Sequence, residues 1–521
     1  MMTEIRCLIT LPFLLTVLAG AACGQSGPDL APPAGAWNQF RGPQGGGNAG
    51  ADASPPLAPG DGTLAWKAPV PSGLSSPVVS SSRLIFTGVE NGRLVTMAIE
   101  KATGALAWRR EAPDVPLEPV HETGSPAAST PLVAGDRIVV YFGSFGLLCY
   151  DADGGEVWRR PLPTPKSLYG TATSPVAFRD KLIVVLDDET KLEGSALSRS
   201  KILAVSQTSG ETVWESPRPL VRSGWSTPAL WSHGDSTELV VLGTGRVTGY
   251  DPETGHELWH ATGFSQETIA QPVVGGGLVF VSSSQIGGGA DETIDPEPLW
   301  NSVMTFDASG DGRLERSEMT GHFTFPLRPE LGPGHPGYGI PLPSEPEARQ
   351  KRLDGMFASV DADKDGHWSR EEFAANVVNR PGKPRLLAIK PGGSGDVTTS
   401  HVAWELNRHI PEIPTPLVVG NRLYLVRNGG VLACVDVASG QVLYTERLDA
   451  PGQYSASPVA ANGHLFLLSN RGVLSVVAAG DSFSLTHQHD LGEPAYVTPA
   501  IDGDTLYVRT ARHLAAFRRR P

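Results

Sequence analysis

Cysteine is scarce in this chain: four in 521 residues, two of them within the first twenty-three positions. That leaves Cys149 and Cys434, each inside an apolar stretch ("GLLCYD", "GVLACVD") and far apart along the chain, which reads as two small buried hydrophobes rather than a disulfide framework. Basic residues are outnumbered, 42 Lys and Arg against 55 Asp and Glu, for a net charge of −13. A field of that sign repels phosphate backbones and argues against a nucleic-acid partner. The only dense basic run, Arg518 to Arg520, sits at the end of the chain and reads as solvated. No apolar run is long enough to span a bilayer; the longest, Leu8 to Leu18, falls short.

Catalytic signatures are missing too. There is no G-x-S-x-G elbow and no H-E-x-x-H, and "VHETG" (120–124) lacks the second His of a zinc site. "KPGGSGD" (390–396) lacks the Lys-Ser/Thr end of a phosphate loop and reads as a turn. "HQH" (487–489) places two imidazoles on one face of a strand with no third ligand in sight, and so reads as an outer strand.

Glycine (60) and proline (45), by contrast, are abundant, and a mean hydropathy of −0.12 is compatible with a large core. Many tight turns between short strands are expected. The N-terminal "MMTEIRCLITLPFLLTVLAGAACGQ" has the one-Arg, apolar, small-residue order of an export signal over residues 1–23. Two readings stand side by side. Cleavage before Cys23 gives a lipoprotein whose membrane contact is the lipid anchor at Cys23; cleavage after Ala21 or Ala22 gives a soluble secreted protein. Residues 24–60 then form a Gly/Pro-rich linker that carries "WNQFRGP" (37–43).

The strongest signal is a repeat. A small or polar residue precedes Pro, then come a β-run, a polar turn and a second β-run, eight times over, with openings at Pro77, Pro131, Pro175, Pro228, Pro272, Pro416, Pro458 and Pro499. Several units close on a second signature: "EKATGALAW" (100–108), "SQTSGETVW" (206–214), "DPETGHELW" (251–259), "DVASGQVLY" (436–444) and the shorter "DADGGEVW" (151–158). This is a hairpin with Gly in the left-handed position and an aromatic placed to dock on the neighbouring unit. Four strands per unit describe a propeller blade, and eight units describe an all-β, eight-bladed β-propeller. The last unit stops after its third strand, "LAAF" (514–517), while "GTLAWKAP" (62–69) precedes the first unit. The N-terminal strand is therefore expected to complete blade eight, with Trp66 as its docking aromatic. Ser76, Thr130, Ser174, Thr227, Thr415, Ser457 and Thr498, just before the prolines, are expected near the central channel, bonding blade to blade.

The T-G-x-x-x-W hairpins resemble those of bacterial propellers with pyrroloquinoline-quinone-type (PQQ-like) repeats, and "WNQFRGP" resembles the opening of exported propellers of that kind. Resemblance to the quinoprotein dehydrogenases among them implies PQQ at the axis, a vicinal Cys-Cys disulfide, a calcium held by Glu, Asn and Asp, and a Trp beneath the quinone. This sequence has no adjacent cysteine pair, and none of the other positions transfers residue by residue. PQQ is accordingly not expected, and a PQQ-dependent dehydrogenase is the alternative to a non-enzymatic binding or scaffold protein. Exported PQQ-like propellers acting as outer-membrane assembly scaffolds supply the precedent for a protein, peptide or glycan partner at the cell envelope, in the periplasm, at the outer membrane or outside the cell.

The rhythm breaks in blade five. Blades one to five occupy 61–285, an insertion occupies 286–382, and the rest of blade five to blade eight occupies 383–521. The insertion holds two twelve-residue loops. "DASGDGRLERSE" sets Asp307, Ser309, Asp311, Gly312 and Glu318 at positions one, three, five, six and twelve; "DADKDGHWSREE" does the same with Asp361, Asp363, Asp365, Gly366 and Glu372. Both resemble the EF-hand pattern, in which alternate side chains of a tight loop point inward and position seven gives its backbone carbonyl, here Arg313 and His367. Two Ca²⁺ sites are expected, with position nine (Glu315, Ser369) acting through water. Leu314 is expected to meet Trp368 in a short strand pair, and Ser344 with Glu347 to cap the helix entering the second loop.

Overall fold

A computed structural model describes residues 37–519 except 168, 189, 191–197, 222–223, 266, 285–296, 327–338, 379–383 and 451. The expectations about the leader, Cys7 and Cys23 lie outside the described residues.

Eight sheets make the ring, each built on four antiparallel strands ordered from an inner strand outward, with a fifth strand added at the outer edge of one. Blade one is Val78–Ser80, Arg83–Glu90, Arg93–Glu100 and Leu106–Glu111. Its middle strands are buried along nearly their whole length, because each is covered on both faces by neighbouring blades, and this is why the sequence there runs continuously apolar. Outer strands such as Leu64–Pro69 alternate between half-buried and exposed. The ring closes as the sequence predicts: Leu64–Pro69 pairs with His513–Arg518, aligning Trp66 with Ala516, and completes the blade of Ala500–Asp502, Thr505–Arg509 and His513–Arg518.

The docking aromatics share one geometry. Trp66 Nε1 donates to Lys101 O, Trp108 to Ala152 O, Trp158 to Gln207 O, Trp214 to Pro252 O and Trp404 to Val437 O, each reaching the hairpin of the next blade. Each indole lies flat over the hairpin glycine. Gly104, at φ 72°, has room for no side chain, since a Cβ there would lie 2.6 Å from Trp66. Trp259 departs from the pattern. Blade five lacks the T-G hairpin, so Trp259 Nε1 turns to Glu238 Oε2 at 2.5 Å, within its own blade. In blade seven the docking position, opposite Val476 before the bulge, belongs to His487, whose Nε2 meets Pro59 O at 2.9 Å. His489 packs edge-on against Phe517. "HQH" is thus part of the blade contact.

The hydroxyls before the prolines form a girdle. Ser76 N donates to Thr130 Oγ1, Thr130 N to Ser174 Oγ, Ser174 N to Thr227 Oγ1, Thr415 N to Ser457 Oγ and Ser457 N to Thr498 Oγ1, each at 3.0 Å. In blade five Gln271 takes the hydroxyl's place, its N–H reaching Thr415 Oγ1 at 3.0 Å and its Nε2 reaching Pro228 O at 3.2 Å.

"WNQFRGP" and the residues after it cross the channel. Val79 N donates to Trp37 O and Val133 N to Asn38 O, in blades one and two. Arg41, fully buried, donates to Thr415 O and Pro416 O of blade six and to Gly45 O and Gly46 O of its own turn. Ala49 N and Ala460 O then meet in blade seven, and Ser54 N and Gly503 O in blade eight.

Two polar devices lock the seam between first and last strands. Arg509, also fully buried, donates to Ser75 O, Thr87 O and Pro71 O of blade one and lies over the Phe86 ring. Glu493 binds Lys67 of the N-terminal strand at 2.7 Å, His513 of the C-terminal strand at 2.7 Å, and Thr510. Burial pushes the Glu493 carboxyl up, but Lys67, Thr510 and His513 outweigh it and hold the group down to about 2, from an ordinary 4.5. A depressed carboxylate contributes stability that is complete above its unfolded value and lost as the pH falls through the folded one. Glu493→Gln is therefore expected to lower stability at pH 7 by about 2 kcal/mol. It is also expected to flatten the loss of thermal midpoint between pH 4.5 and 2, measured by melting wild type and variant across that range. A midpoint that falls as steeply in the variant rejects this role.

Candidate functional site

The second strand of blade five ends at Ser283 and its third begins at Arg385. Between them, helix α1 (Glu297–Val303) and a 3-10 turn (Met304–Phe306) lead into the first twelve-residue loop. Helix α2 (Pro346–Val360) leads into the second loop, and α3 (Arg370–Val378) leaves it. The cap of α2 differs from expectation. Glu345 is the N-cap, its side chain accepting from Ala348 N, with Pro346 in the first helical position; Ser344 stands one residue outside. Pro at the first turn needs no N–H donor, which favours starting the helix there.

The insertion has a core of its own, including Trp300, Leu314, Leu353, Phe357, Trp368 and Phe373, and every residue of that cluster lies within the insertion. Trp368 stacks on Phe357 with ring centroids 4.3 Å apart. As the loop spacing predicts, Leu314 pairs with Trp368 and Glu315 with His367 in a two-residue antiparallel ladder that sets the loops side by side.

Each loop is a knot of backbone N–H groups around carboxylates. Gly312 and Gly366 have φ of 80° and 88°, the left-handed turn the sixth position requires, and open space beside them shows that conformation rather than crowding selects glycine. In the first loop, Asp307 accepts from Gly310 N, Gly312 N and Ser309 Oγ, and Glu318 accepts from Ala308 N, Ser309 N and Glu315 N. In the second, Asp361 accepts from Asp365 N and Gly366 N, and Glu372 from Ala362 N, Asp363 N and Ser369. The Ser369 backbone N–H leads the effects that hold Glu372 down to about 2, so this group is a carboxylate at any physiological pH. Asp361, Asp363 and Glu372 bring ligand oxygens within 4.8 Å of one another, the one such cluster of three among the described residues. Asp311 and Asp365 instead accept from the N–H of Arg313 and His367. At position nine, Glu315 accepts from the Ser317 hydroxyl and meets His367, while Ser369 bonds Glu372. The imidazole of His367 is thus engaged with Glu315.

Sequence reasoning missed several buried polar groups. Arg218 pairs with Asp187 at 2.7 Å in the interior, where burial pushes Asp187 up to about 6 against the pull of Arg218. Glu118, pushed up to about 7 by burial, accepts from Thr171. All lie in connections between strands, where no periodicity marks them. Cys149 and Cys434 are free and buried, as expected. "VHETG" is a turn in which His121 meets Thr123, and "KPGGSGD" ends in Gly395–Asp396, a fifth strand running parallel to Glu257–Thr262 of blade four.

The structure of BamB from Moraxella catarrhalis is similar, with 11% identity, a TM-score of 0.49, and 88% of this chain and 99% of that one covered. Sqt1 from Saccharomyces cerevisiae gives 9%, 0.48, 88% and 97%, and the quinohemoprotein alcohol dehydrogenase from Comamonas testosteroni 14%, 0.40, 93% and 81%. No curated protein matches the chain. The family model described as outer membrane protein assembly factor BamB matches residues 56–195, 198–310 and 388–520, so that 311–387, most of the insertion, lies outside the match. Blades built on PQQ-like repeats, matched over well more than half their length, make this chain a member of the family of outer membrane protein assembly factor BamB.

Proposed function

We propose that the protein is an exported, non-enzymatic propeller that binds two calcium ions in an EF-hand pair and serves as a binding scaffold at the cell envelope. The observation that carries the calcium reading is the convergence of Asp361, Asp363 and Glu372 in a loop already folded by its own backbone. The donors are all oxygens: Asp307, Ser309, Asp311, Glu318 and the carbonyl of Arg313 in one loop, and Asp361, Asp363, Asp365, Glu372 and the carbonyl of His367 in the other. Carboxylate and carbonyl oxygens with a twelfth-position Glu suit a hard ion of calcium's size and offer no nitrogen or sulfur to a softer metal. Extracellular modules of this kind bind at roughly 10⁻⁴ to 10⁻³ M. Filling to ten times the dissociation constant stabilises the insertion by about 1.4 kcal/mol, the scale of a structural clamp.

The scaffold reading rests on the family, whose description is that of an assembly factor, and on the ring itself. Residues 37–50 bond to the inner strands of blades one, two and seven across the ring, and Cys149 and Cys434 are separately buried in blades two and six. The partner is a protein, peptide or glycan; the leader, whether or not it leaves a lipid on Cys23, delivers the chain to it. Titrating the purified mature chain by calorimetry with Ca²⁺ and then with PQQ, while following quinone absorbance, tests both halves. Heat with calcium and none with PQQ is the expected result. Tight PQQ uptake with a shifted spectrum would replace the scaffold with a dehydrogenase.

A further inference from the structure

The two loops are not equivalent, and the difference lies at the fifth position of the second. Asp365 Oδ1 accepts from His367 N at 2.9 Å, which leaves Oδ2 as its oxygen for an ion. That oxygen is engaged already: Arg313 Nη1, from the seventh position of the other loop, donates to it at 3.0 Å. Asp365, the fourth carboxylate of the same loop, stands outside the convergent cluster of Asp361, Asp363 and Glu372. The ladder makes the crossing reciprocal, since His367 Nε2 reaches back to Glu315 Oε1 at 3.1 Å. Each seventh residue thus sends its side chain to the neighbouring loop.

We infer that Arg313 is a built-in competitor for calcium in the second loop, occupying the Asp365 oxygen that the ion needs and thereby weakening that site. The inference rests on the calcium reading above. Entry of the ion requires Asp365 to exchange a guanidinium for Ca²⁺, and the exchanged pair is exposed, so the competition is modest and screened by salt. It also makes the loops interdependent, because an ion drawing in the Arg313 carbonyl in the first loop fixes the backbone from which the competing side chain extends.

The test isolates the second loop by placing Asp307→Ala in the full mature chain and then comparing Arg313 with Arg313→Gln. With calcium alone as probe, Arg313→Gln is expected to tighten the remaining site about threefold at low ionic strength. The gain should shrink towards none at roughly 0.5 M NaCl. Arg313→Lys, which keeps the charge, is expected to fall between the two. Unchanged or weaker binding in Arg313→Gln overturns the competitor while leaving the calcium sites in place. Absence of calcium heat in the wild-type chain itself overturns both, so the two failures are told apart. Arg313 is exposed and outside the insertion's core, and the variant is expected to fold.

Discussion

Alanine at Asp307 and Asp361 together is expected to abolish the proposed calcium uptake and to leave the β-sheet circular dichroism of the chain intact. Each aspartate opens its loop and organises it. Asp307 gathers the N–H groups of Gly310 and Gly312 and the Ser309 hydroxyl, and Asp361 gathers those of Asp365 and Gly366. Removing the carboxyl would therefore delete a proposed ligand and also loosen the turn that presents the others. Because divalent affinity depends on the number of charged oxygens and on rigidity, each substitution is expected to weaken its site by a hundredfold or more, on the order of 3 kcal/mol. The ring is insulated from the change: the insertion's core draws on no propeller residue, and blade five pairs Leu278–Ser283 with Arg385–Ile389 irrespective of it. Calorimetry and far-ultraviolet dichroism on the double variant decide the matter. Residual calcium heat would place the ions elsewhere, and a lost β signal would tie the insertion to the integrity of the ring.

Arg509→Met is expected to lower the thermal midpoint by several degrees, the largest effect of any single substitution at the seam. Among the described residues no carboxylate pairs with this buried cation; carbonyls of Ser75, Thr87 and Pro71 accept from it, and burial lowers its pKa to about 9. Methionine fills a similar volume but donates nothing, and it abandons the Ser75 and Pro71 carbonyls, while Thr87 O keeps the Ser75 hydroxyl. At about 1.5 kcal/mol for each abandoned acceptor, the loss is about 3 kcal/mol. For a chain of this size that is several degrees in a melt followed by circular dichroism. An unchanged midpoint would mean that the strand pairing between residues 64–69 and 513–518 closes the ring unaided.

What the sequence made legible was whatever repeats. The eight prolyl openings, the hydroxyls before them and the hairpin indoles each recur at fixed spacing, so Trp66 was placed in the last blade and Ser76 in the girdle from pattern alone. Singular residues carry no such mark. Arg41, Arg509 and Glu493 belong to no repeated signature, and their partners are set by a ring that joins residues hundreds of positions apart. His487 escaped for a related reason: the hairpin signature is written in indoles, and an imidazole in the docking position breaks the pattern while keeping the contact. The loops were legible by spacing down to the Leu314–Trp368 pair. The turning of Asp365 towards Arg313 was not, because it depends on a neighbour 52 positions away. The helix cap shifted from Ser344 to Glu345 because Pro346 fixed the first turn.

That Leu64–Pro69 waits for His513–Arg518 has a consequence for how the molecule is made. Joining the ends of a segment of roughly 450 residues costs on the order of 5 kcal/mol of chain entropy, comparable to everything the seam returns. Blades must therefore assemble first and shorten the effective loop before the ends meet, which makes closure the late and slow event in folding. Until then an incomplete chain carries a raw strand edge at each end, open to pairing with another copy. Truncation anywhere in the last blade should leave a product that aggregates or is degraded rather than a shorter working ring.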